Sequence, residues 1–252
     1  MEVVVLGSGS AGNSCLVSGA GARVLVDVGL SAKQTAARLA GLGIEPGDIS
    51  AICLTHEHSD HTAGLKTFLK KWPVPVYCNT ATARCFPDAA AAFQLFETGA
   101  TFRIEGLTVR SFSVPHDASD PVGFRFDEGS TAFATLTDLG FATNLAINAL
   151  RGVASLLIEA NYDETLLQND RKRPWSVKQR ISSRHGHLSN AAAAEVLRRI
   201  DAAGLAAVVL GHLSRDCNAP DLALAAAAEA LTGRSTNLLC ATQESPSPVL
   251  QL

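Results

Sequence analysis

The densest group of chemically active side chains in this sequence lies in THEHSDH, residues Thr55–His61, directly after the apolar run Ala51–Leu54. Three imidazoles and a carboxylate fall within six residues: His56, His58, Asp60 and His61. A helix would point the first two histidines about 200° apart. We therefore expect a loop that wraps round ions and passes into a helix at 63–71. Such ligands suit Zn²⁺, Mn²⁺ or Fe, and a cluster this dense can serve two ions.

A polar loop whose histidines only cap a helix is the ordinary explanation of a single histidine. It fits this segment poorly, because burying so many polar groups without a metal would be costly. The pattern therefore predicts a metal centre directly after a buried strand.

The elements that must position this segment follow from local patterns. Strands are predicted near 2–6, 15–18, 23–27, 51–55, 75–78, 101–104, 107–113, 122–127, 130–135, 155–160 and 205–211. Helices are predicted at 32–42, 63–71, 189–203 and 220–232, and the alanine runs at 89–92, 191–194 and 225–228 also suggest helix. Two strand-rich halves that each carry helices predict an αββα sandwich of two facing sheets. Residues 168–187 have the least regular pattern and are predicted to form a surface loop.

The composition is that of a globular protein, with 252 residues, 47% of them hydrophobic and 18% charged. This length suits one large domain or two closely packed halves. No linker divides the chain, so a single domain over 1–252 is expected. The net charge of −3 says little about partners, because local clustering decides whether a polyanion can bind.

The longest nearly apolar stretch, Ala202–Gly211, is about half of what a membrane-spanning helix needs. Glu2 is followed directly by a strand-like run, which leaves no signal-peptide pattern. We therefore expect a cytoplasmic protein without a membrane span. Six cysteines without a CxxC pair indicate neither a disulfide framework nor a cysteine-based zinc site.

A glycine motif near the start of the chain imitates a dinucleotide-binding fingerprint. Gly7, Gly9 and Gly12 spell GxGxxG after the first strand, and Asp27 lies where a ribose-binding acid would. However, no room remains for a crossover helix before the strand at Arg23, since a βαβ unit needs roughly 30 residues. Successive hairpins fit better, and the glycines then serve backbone geometry. Asn13 and Ser14 in this loop could still offer donors to a phosphate.

THEHSDH resembles the signature of the metallo-β-lactamase-fold hydrolases, and the chain carries the other motifs of that family in order. The resemblance implies an αββα fold and two divalent cations, Zn or Mn. The implied ligands are His56, His58 and His116 for the first ion, Asp60, His61 and His212 for the second, and Asp138 as the bridge, with Asp27 supporting the site from behind. A hydroxide shared by two cations is already a nucleophile at neutral pH.

Further motifs resemble the YycJ/WalJ-like group of this superfamily over essentially the whole chain. These are residues 6–14, 159–163, 184–190 and 212–215. The group is associated with exonuclease or phosphodiesterase activity on DNA. The candidate substrate contacts are Asn13, Ser14, Arg184, His185, Ser189 and Asn190, and the candidate catalytic residues are Asp60 and His187.

His187 is predicted to act on the scissile phosphate or the leaving oxygen, since the matched positions already fill both metal spheres. A protonated imidazole there could supply the departing alkoxide with a proton. His185 is the competing candidate. The alternative is that His187 only caps the helix predicted to start near Ser189.

The stretch Arg171–His187 is strongly basic and contains no acid. Its cations are Arg171, Lys172, Arg173, Lys178, Arg180 and Arg184, with Trp175 in their midst. A solvated basic loop is the ordinary explanation of such a run. The position just before a motif histidine favours a groove for a phosphate backbone with an aromatic stacking platform.

Three functional hypotheses remain open at this point. A di-metal phosphodiester hydrolase acting on DNA is the first, and RNA is the less favoured polymer. A small-molecule hydrolase acting on a thioester or cyclic phosphodiester would share the metals without needing the basic stretch. A binding module is opposed by intact residues at all seven ligand positions. The sequence does not decide the oligomeric state.

Overall fold

In a computed structural model, which describes residues 1–200 and 204–252 apart from the side chains of residues 90 and 91, two seven-stranded sheets form the centre of the molecule. The first has the order β14 (Leu250–Gln251), β1 (Glu2–Gly7), β2 (Ser14–Gly19), β3 (Ala22–Val26), β4 (Ala51–Cys53), β5 (Val76–Asn79) and β6 (Phe93–Phe96). The second has the order β13 (Asn237–Cys240), β12 (Ala207–Gly211), β11 (Ser155–Glu159), β10 (Thr131–Leu136), β9 (Val122–Glu128), β8 (Leu107–Ser113) and β7 (Thr101–Ile104).

Both faces of each sheet are covered, and strand alternation shows how. In β1, Val3 and Val5 point into the core between the sheets, whereas Val4 and Leu6 point into a second core on the outer face. Successive strand residues face opposite sides, so a continuous apolar run is what a doubly covered strand requires.

Helices form the outer layers. They are α1 (Ala32–Ala40), α2 (Ser59–Thr62), α3 (Leu65–Lys71), α4 (Thr80–Arg84), α5 (Asn144–Ala149), α6 (Glu164–Asn169), α7 (Trp175–Ile181), α8 (Asn190–Arg199) and α9 (Pro220–Ala230). Leu39 of α1 and Phe68 of α3 pack on the first sheet. Ile147, Leu197 and Ala227, from α5, α8 and α9, pack on the second. The αββα architecture is confirmed, and the single domain over 1–252 stays a prediction.

Parallel strands carry the polar residues to one edge. Strands β3, β4 and β5 run parallel, as do β10, β11, β12 and β13. Asp27, His56, Asp138 and His212 follow the ends of β3, β4, β10 and β12, and Glu159 ends β11. The carboxyl ends of parallel strands share one edge, so both sheets deliver side chains to the same region.

The glycine motif lies in a hairpin, as the sequence predicted, because β1, β2 and β3 are consecutive antiparallel strands. Gly9 and Gly12 have φ values of +134° and +143°. Other residues rarely adopt these values, so the turn between β1 and β2 requires glycine at both positions. A further hairpin turn joins β9 to β10, with Gly129 at φ +58°.

Residues 168–187 were predicted to form an irregular loop, and this is wrong in part. The stretch holds the end of α6 and the whole of α7. Helix α7 buries none of its residues. It therefore lacks the apolar stripe of helical period from which a sequence pattern predicts a helix. The placement of this stretch at the surface is correct.

Other boundaries differ from the predictions at points where packing decides. The helix expected at 63–71 begins earlier as α2, is interrupted at Gly64 and resumes as α3, so Asp60 and His61 lie in a helical turn. The alanine run 89–92 lies in a 3₁₀ helix, Pro87–Ala92. Helix α8 ends at Arg199, and the predicted continuation at 201–203 lies outside the described residues. The sequence did not reveal α4, α5, β6, β13 and β14.

No described helix is long and apolar enough to cross a membrane. The six cysteines, all within the described residues, form no disulfide, as the sequence predicted.

Gly29 permits the closest backbone approach beneath the metal-binding motif. A Cβ there would lie 1.7 Å from the backbone oxygen of Asp60 and 2.7 Å from the backbone nitrogen of Asn13. Gly29→Ala is therefore expected to lower the free energy of unfolding by about 2–3 kcal/mol, since rigid backbone must move. Urea unfolding measures this. Gly47→Ala is the matched control, because its Cβ would meet no atom within 4 Å. Equal stability of the two variants would contradict the prediction.

Candidate metal centre

The backbone is strained where the two sheets deliver their polar residues. Asp27, Asp138 and His212 have φ values of +60°, +57° and +56°. Among the described non-glycine residues, positive φ is otherwise found at Ala20 and Glu105, which lie in turns between strands. Such strain persists only where the surroundings enforce it, and it concentrates at functional sites.

Three imidazoles form the first half of the centre. His56, His58 and His116 each offer a ring nitrogen, and these atoms all lie within 4.8 Å of one another. Nδ1 of His58 lies 3.3 Å from Nε2 of His116. This spacing is close to what a cation about 2 Å from each donor requires.

The second half adjoins the first and is richer in carboxylates. Asp60, His61, Asp138 and His212 offer ligand atoms within 4.8 Å of one another. Nε2 of His212 lies 3.3 Å from the Asp60 carboxylate, and Nε2 of His61 lies 3.0 Å from Oδ2 of Asp138. Two carboxylates and two imidazoles form a donor set that suits Zn²⁺ or Mn²⁺.

Asp138 lies between the two halves and is 2% exposed. Its Oδ2 lies 3.0 Å from Nε2 of His61, and its Oδ1 lies 3.0 Å from Nδ1 of His212 and 3.9 Å from Nε2 of His116. The carboxylate therefore lies against the second half and within reach of the first, a position that suits a bridging ligand.

Each buried histidine is oriented by an acceptor behind it. Nδ1 of His61 donates to Asp27 at 2.7 Å, and Nδ1 of His116 donates to the backbone oxygen of Gly186 at 3.0 Å. Nδ1 of His212 donates to Glu159 at 3.0 Å. A hydrogen bond at one ring nitrogen fixes the tautomer, so the opposite nitrogen keeps its lone pair for a metal.

His56 gives the sharpest test of whether a cation fits. Its Nδ1 lies 2.9 Å from the Thr55 hydroxyl, which itself donates to Asp27. Its Nε2 is buried and has no hydrogen-bond partner among the described residues. Burial and the nearby imidazole of His61 hold the pKa of His56 well below its ordinary value. A neutral imidazole with an unpartnered buried nitrogen is what a metal ligand requires, so the residues fit divalent cations.

Asp27 is buried and acts through its neighbours. Besides His61, it accepts hydrogen bonds from the backbone nitrogen and the hydroxyl of Thr55, both at 2.8 Å. The Asp27 carboxylate therefore links Thr55, the residue before His56, to His61 of the second half.

Glu159 is the residue that the metal analysis of the sequence missed. Its carboxylate is fully buried and accepts from Nδ1 of both His187 (2.7 Å) and His212 (3.0 Å). Its other oxygen accepts from the backbone nitrogens of Leu139 and Leu188. The available signal was an acid directly after the apolar run Leu156–Ile158, at a strand end like those where the ligand loops begin.

His187 lies beside the second half, and its side chain is 23% exposed. The structure groups it with Asp138, Glu159 and His212 as donors within 4.8 Å. Its Nδ1 is already hydrogen-bonded to Glu159, which leaves Nε2 for substrate or for a metal. His185 is exposed, and its backbone oxygen accepts from Asp117.

Four residues expected to contact substrate have structural partners instead. Ser14 donates to the backbone oxygen of Asp27, and Ser189 caps α8. Asn190 pairs with Asn218 through both amide groups. Asn13 is 8% exposed and directs its Nδ2 at Asp60, 3.3 Å from Oδ2. These residues shape the loops around the metal centre, because burial and existing bonds leave them little to offer a phosphate.

Most of the basic stretch is already paired. Lys172 and Arg173 bind Asp216, Arg173 also binds Asp170, and Arg180 binds Asp117. Lys178 donates to the backbone oxygen of Gln168. The sequence window contained no acid, but the fold brings acids from both flanks. A solvated and internally paired surface therefore explains these four cations better than a dedicated phosphate groove.

Arg184 differs from these four cations. Its guanidinium lies 4.3 Å from the centre of the Phe141 ring, and it forms no ion pair among the described residues. The loop that carries it is held against the centre, because the next residue but one, Gly186, accepts from His116. An exposed guanidinium that stacks on an aromatic ring beside the metal centre is suited to binding a phosphate.

Comparison with known proteins shows the family to which this chain belongs. Residues 22–212 match the family model of the β-lactamase superfamily domain. The chain is 35% identical to exodeoxyribonuclease WalJ of Streptococcus pneumoniae, over 87% of this chain and 84% of that protein. The chain belongs to the WalJ family of the β-lactamase superfamily. It is also 34% identical to exodeoxyribonuclease YycJ of Bacillus anthracis, with the same coverage.

Solved structures agree on the fold. The metallo-β-lactamase-fold protein YhfI of Bacillus subtilis superposes with a TM-score of 0.76 at 18% identity and covers 99% of both chains. Membership in this family makes the protein a hydrolase, and its histidine and aspartate clusters are suited to divalent metal.

Asp138→Ala is expected to remove at least part of the bound metal, because the carboxylate lies within reach of both groups of imidazoles. Metal content after dialysis, measured by plasma mass spectrometry, tests this. Asp88→Ala is the control, since that carboxylate is exposed and pairs only with Lys66. Full metal content and full activity in Asp138→Ala would overturn the assignment.

Proposed function

We propose that the protein is a di-metal exodeoxyribonuclease that hydrolyses phosphodiester bonds of DNA with two divalent cations, Zn or Mn. The observation that carries the proposal is the pair of adjoining donor clusters, because Asp138 of the second cluster lies 3.9 Å from Nε2 of His116 in the first. The named activity of the WalJ and YycJ relatives supports DNA as the polymer. The cytoplasmic location stays a prediction.

In this proposal His56, His58 and His116 hold the first cation, Asp60, His61 and His212 hold the second, and Asp138 contacts both. Cations bound there polarise a phosphoryl oxygen and lower the pKa of water. Asp60 keeps part of its carboxylate exposed, with the side chain 21% accessible. It can therefore orient the attacking water, whose oxygen forms the new bond to phosphorus while the bond to the leaving oxygen breaks.

His187 supplies the proton that the leaving oxygen needs. Burial lowers the pKa of this imidazole, but the charge and hydrogen bond of Glu159 more than reverse the effect, so its pKa lies above the ordinary 6.5. The imidazolium keeps Nδ1 on Glu159 and presents its other N–H to the substrate. A carboxylate behind an imidazole both orients it and stabilises its charged form.

Arg184 on Phe141 is the proposed contact for a phosphate next to the scissile one. It lies on the His116 side of the centre, three residues before His187. The remaining cations of the stretch are mostly paired, so the polymer is held by few contacts and not by a continuous basic groove.

That pairing is also the observation that favours a second candidate function. A small-molecule hydrolase, acting on a thioester or cyclic phosphodiester, would use the same metals without a basic groove. Turnover of labelled duplex DNA, single-stranded DNA and RNA by protein loaded with Mn²⁺ or Zn²⁺ decides between the two. DNA turnover that weakens as salt rises supports the nuclease. Inertness toward all three polymers, with turnover of a thioester or cyclic phosphodiester, would favour the alternative.

His187→Ala is expected to keep its fold and metals while losing about 10²–10⁴-fold in turnover of DNA, the usual worth of a positioned acid. The loss should be smaller for bis(4-nitrophenyl) phosphate, because nitrophenolate leaves without a proton. His185→Ala is the matched control, as its side chain is exposed on the same loop. If His187→Ala loses a cation, then His187 is a ligand and His212 must be reassigned.

The pH dependence gives a second measurement on the same residue. Activity that needs protonated His187 falls as pH rises through the pKa of that imidazole. Glu159 raises this pKa, so Glu159→Gln should move the alkaline limb of kcat to lower pH. If the alkaline limb of kcat does not move in metal-loaded Glu159→Gln protein, then titration of His187 does not cause that limb.

Arg184→Ser is expected to raise KM for DNA and to reduce the slope of log KM against log salt by about one, as loss of one phosphate contact does. The effect on bis(4-nitrophenyl) phosphate should be smaller. Arg234→Ser is the control, because Arg234 is exposed in the loop before β13, at the opposite edge of the sheet. Equal kinetics and salt slopes for the two variants would show that Arg184 is a solvated surface residue that does not bind DNA.

A further inference from the structure

A cavity of about 510 Å³ opens beside the second half of the metal centre. Three segments form its walls: residues 8–11 of the glycine loop, residues 213–218 after β12, and residues 241–244 after β13, with Arg173 at its rim. Its volume lies within the range of sites that hold a small molecule.

The walls of the cavity are hydrogen-bonded to residues of the second half of the metal centre. Ser8, which lines it, accepts a hydrogen bond from the backbone nitrogen of His212 at 2.8 Å. Gly9 donates to Oδ1 of Asn13 at 2.8 Å, and Nδ2 of Asn13 lies 3.3 Å from the Asp60 carboxylate. Ser8 therefore connects the cavity wall directly to His212, and Gly9 connects it to Asp60 through Asn13.

The walls are fixed by a side chain from far along the sequence. Oε1 of Gln243 accepts from the backbone nitrogen of Ala11 at 2.9 Å, and its Nε2 donates to the backbone oxygen of Gly12 at 2.7 Å. Arg38 in turn donates to the backbone oxygens of Gln243 and Glu244. The cavity is thus preformed, which lowers the entropic cost of binding.

The charges around the cavity cancel. Arg173 and Arg215 are matched by Asp216 and Glu244, and they pair as Arg173 with Asp216 and Arg215 with Glu244. The remaining polar lining consists of the hydroxyls of Ser8, Ser10, Ser214 and Thr242 and of the Asn218 and Gln243 amides, which are hydrogen-bonded to other residues of the protein. A balanced surface of donors and acceptors suits an uncharged sugar and base better than a further phosphate.

We propose that this cavity receives the terminal nucleoside of the DNA strand, so that the last phosphodiester bond lies on the metal centre. The inference rests on the proposed function. The body of the strand then leaves on the opposite side, past Arg184 and Phe141. Residues 241–244 form one wall of the cavity, and in this proposal they stop the strand beyond its terminal nucleoside, so that cleavage is directed to ends.

The test fills the cavity with a bulky side chain. Ser10 and Ala11 are exposed residues of its wall, so Ser10→Trp and Ala11→Trp are two independent variants. Ser235→Trp is the matched control, because Ser235 is exposed in the loop before β13, at the opposite edge of the sheet. Calorimetric titration of Mn²⁺-loaded protein with deoxyadenosine 5′-monophosphate and with inorganic phosphate measures the nucleoside contribution to binding. Metal content is measured on every variant.

In the unmodified protein the mononucleotide should bind more tightly than inorganic phosphate. Both tryptophan variants should lose about tenfold or more of that preference, since the nucleoside contacts are removed. Their loss on single-stranded DNA ends should exceed their loss on bis(4-nitrophenyl) phosphate by a similar factor. A mononucleotide preference and end-directed cleavage that match Ser235→Trp, with metals retained, would overturn the proposal.

The mononucleotide titration also separates the two levels of inference. Failure to cleave any DNA, together with tight mononucleotide binding that the tryptophan variants abolish, would overturn the nuclease and leave the cavity as a nucleotide site. DNA cleavage that proceeds at internal bonds, with no mononucleotide preference, would keep the nuclease and overturn the cavity assignment.

Discussion

The hydrogen bond that each buried ligand histidine gives to an acceptor behind it is the interaction on which the metal centre depends. Asp27 accepts the Nδ1 proton of His61, the backbone oxygen of Gly186 accepts that of His116, and Glu159 accepts that of His212. A ring held in this way can offer only Nε2, so the lone pairs converge without rearrangement. The positive φ values at Asp27, Asp138 and His212 show that the backbone adopts strained conformations where these side chains come together.

The fold supports this arrangement because both sheets are buried on both faces. Strands β4, β11 and β12 are buried along their whole length, so charged groups collect where these strands end. Glu159 shows the rule most clearly, since it ends β11 with zero exposure and is stabilised by four hydrogen-bond donors. An unpaired carboxylate in that position would be strongly destabilising.

Sequence patterns predicted the features that are local. The αββα layers followed from strand and helix periodicity, and the ligand candidates followed from motifs after strands. What local patterns could not show is pairing between distant segments. Asp216 and Asp117 neutralise cations of 172–180 from outside that window, and α7 carries no buried face to mark it as a helix. The hydroxyl of Ser14 looked available in sequence, yet a backbone oxygen thirteen residues away occupies it.

The contact between Gln243 and the glycine loop joins residues that are 231 positions apart. A contact of such length forms only after most of the chain exists, and long-range contacts of this kind slow folding. The loop beside Asp60 therefore reaches its final shape late, when the segment after β13 docks. A growing chain can assemble the histidines of the first half earlier, but the wall beside the second half waits for residues 242–244. Completion of the reactive site is thus coupled to completion of the fold.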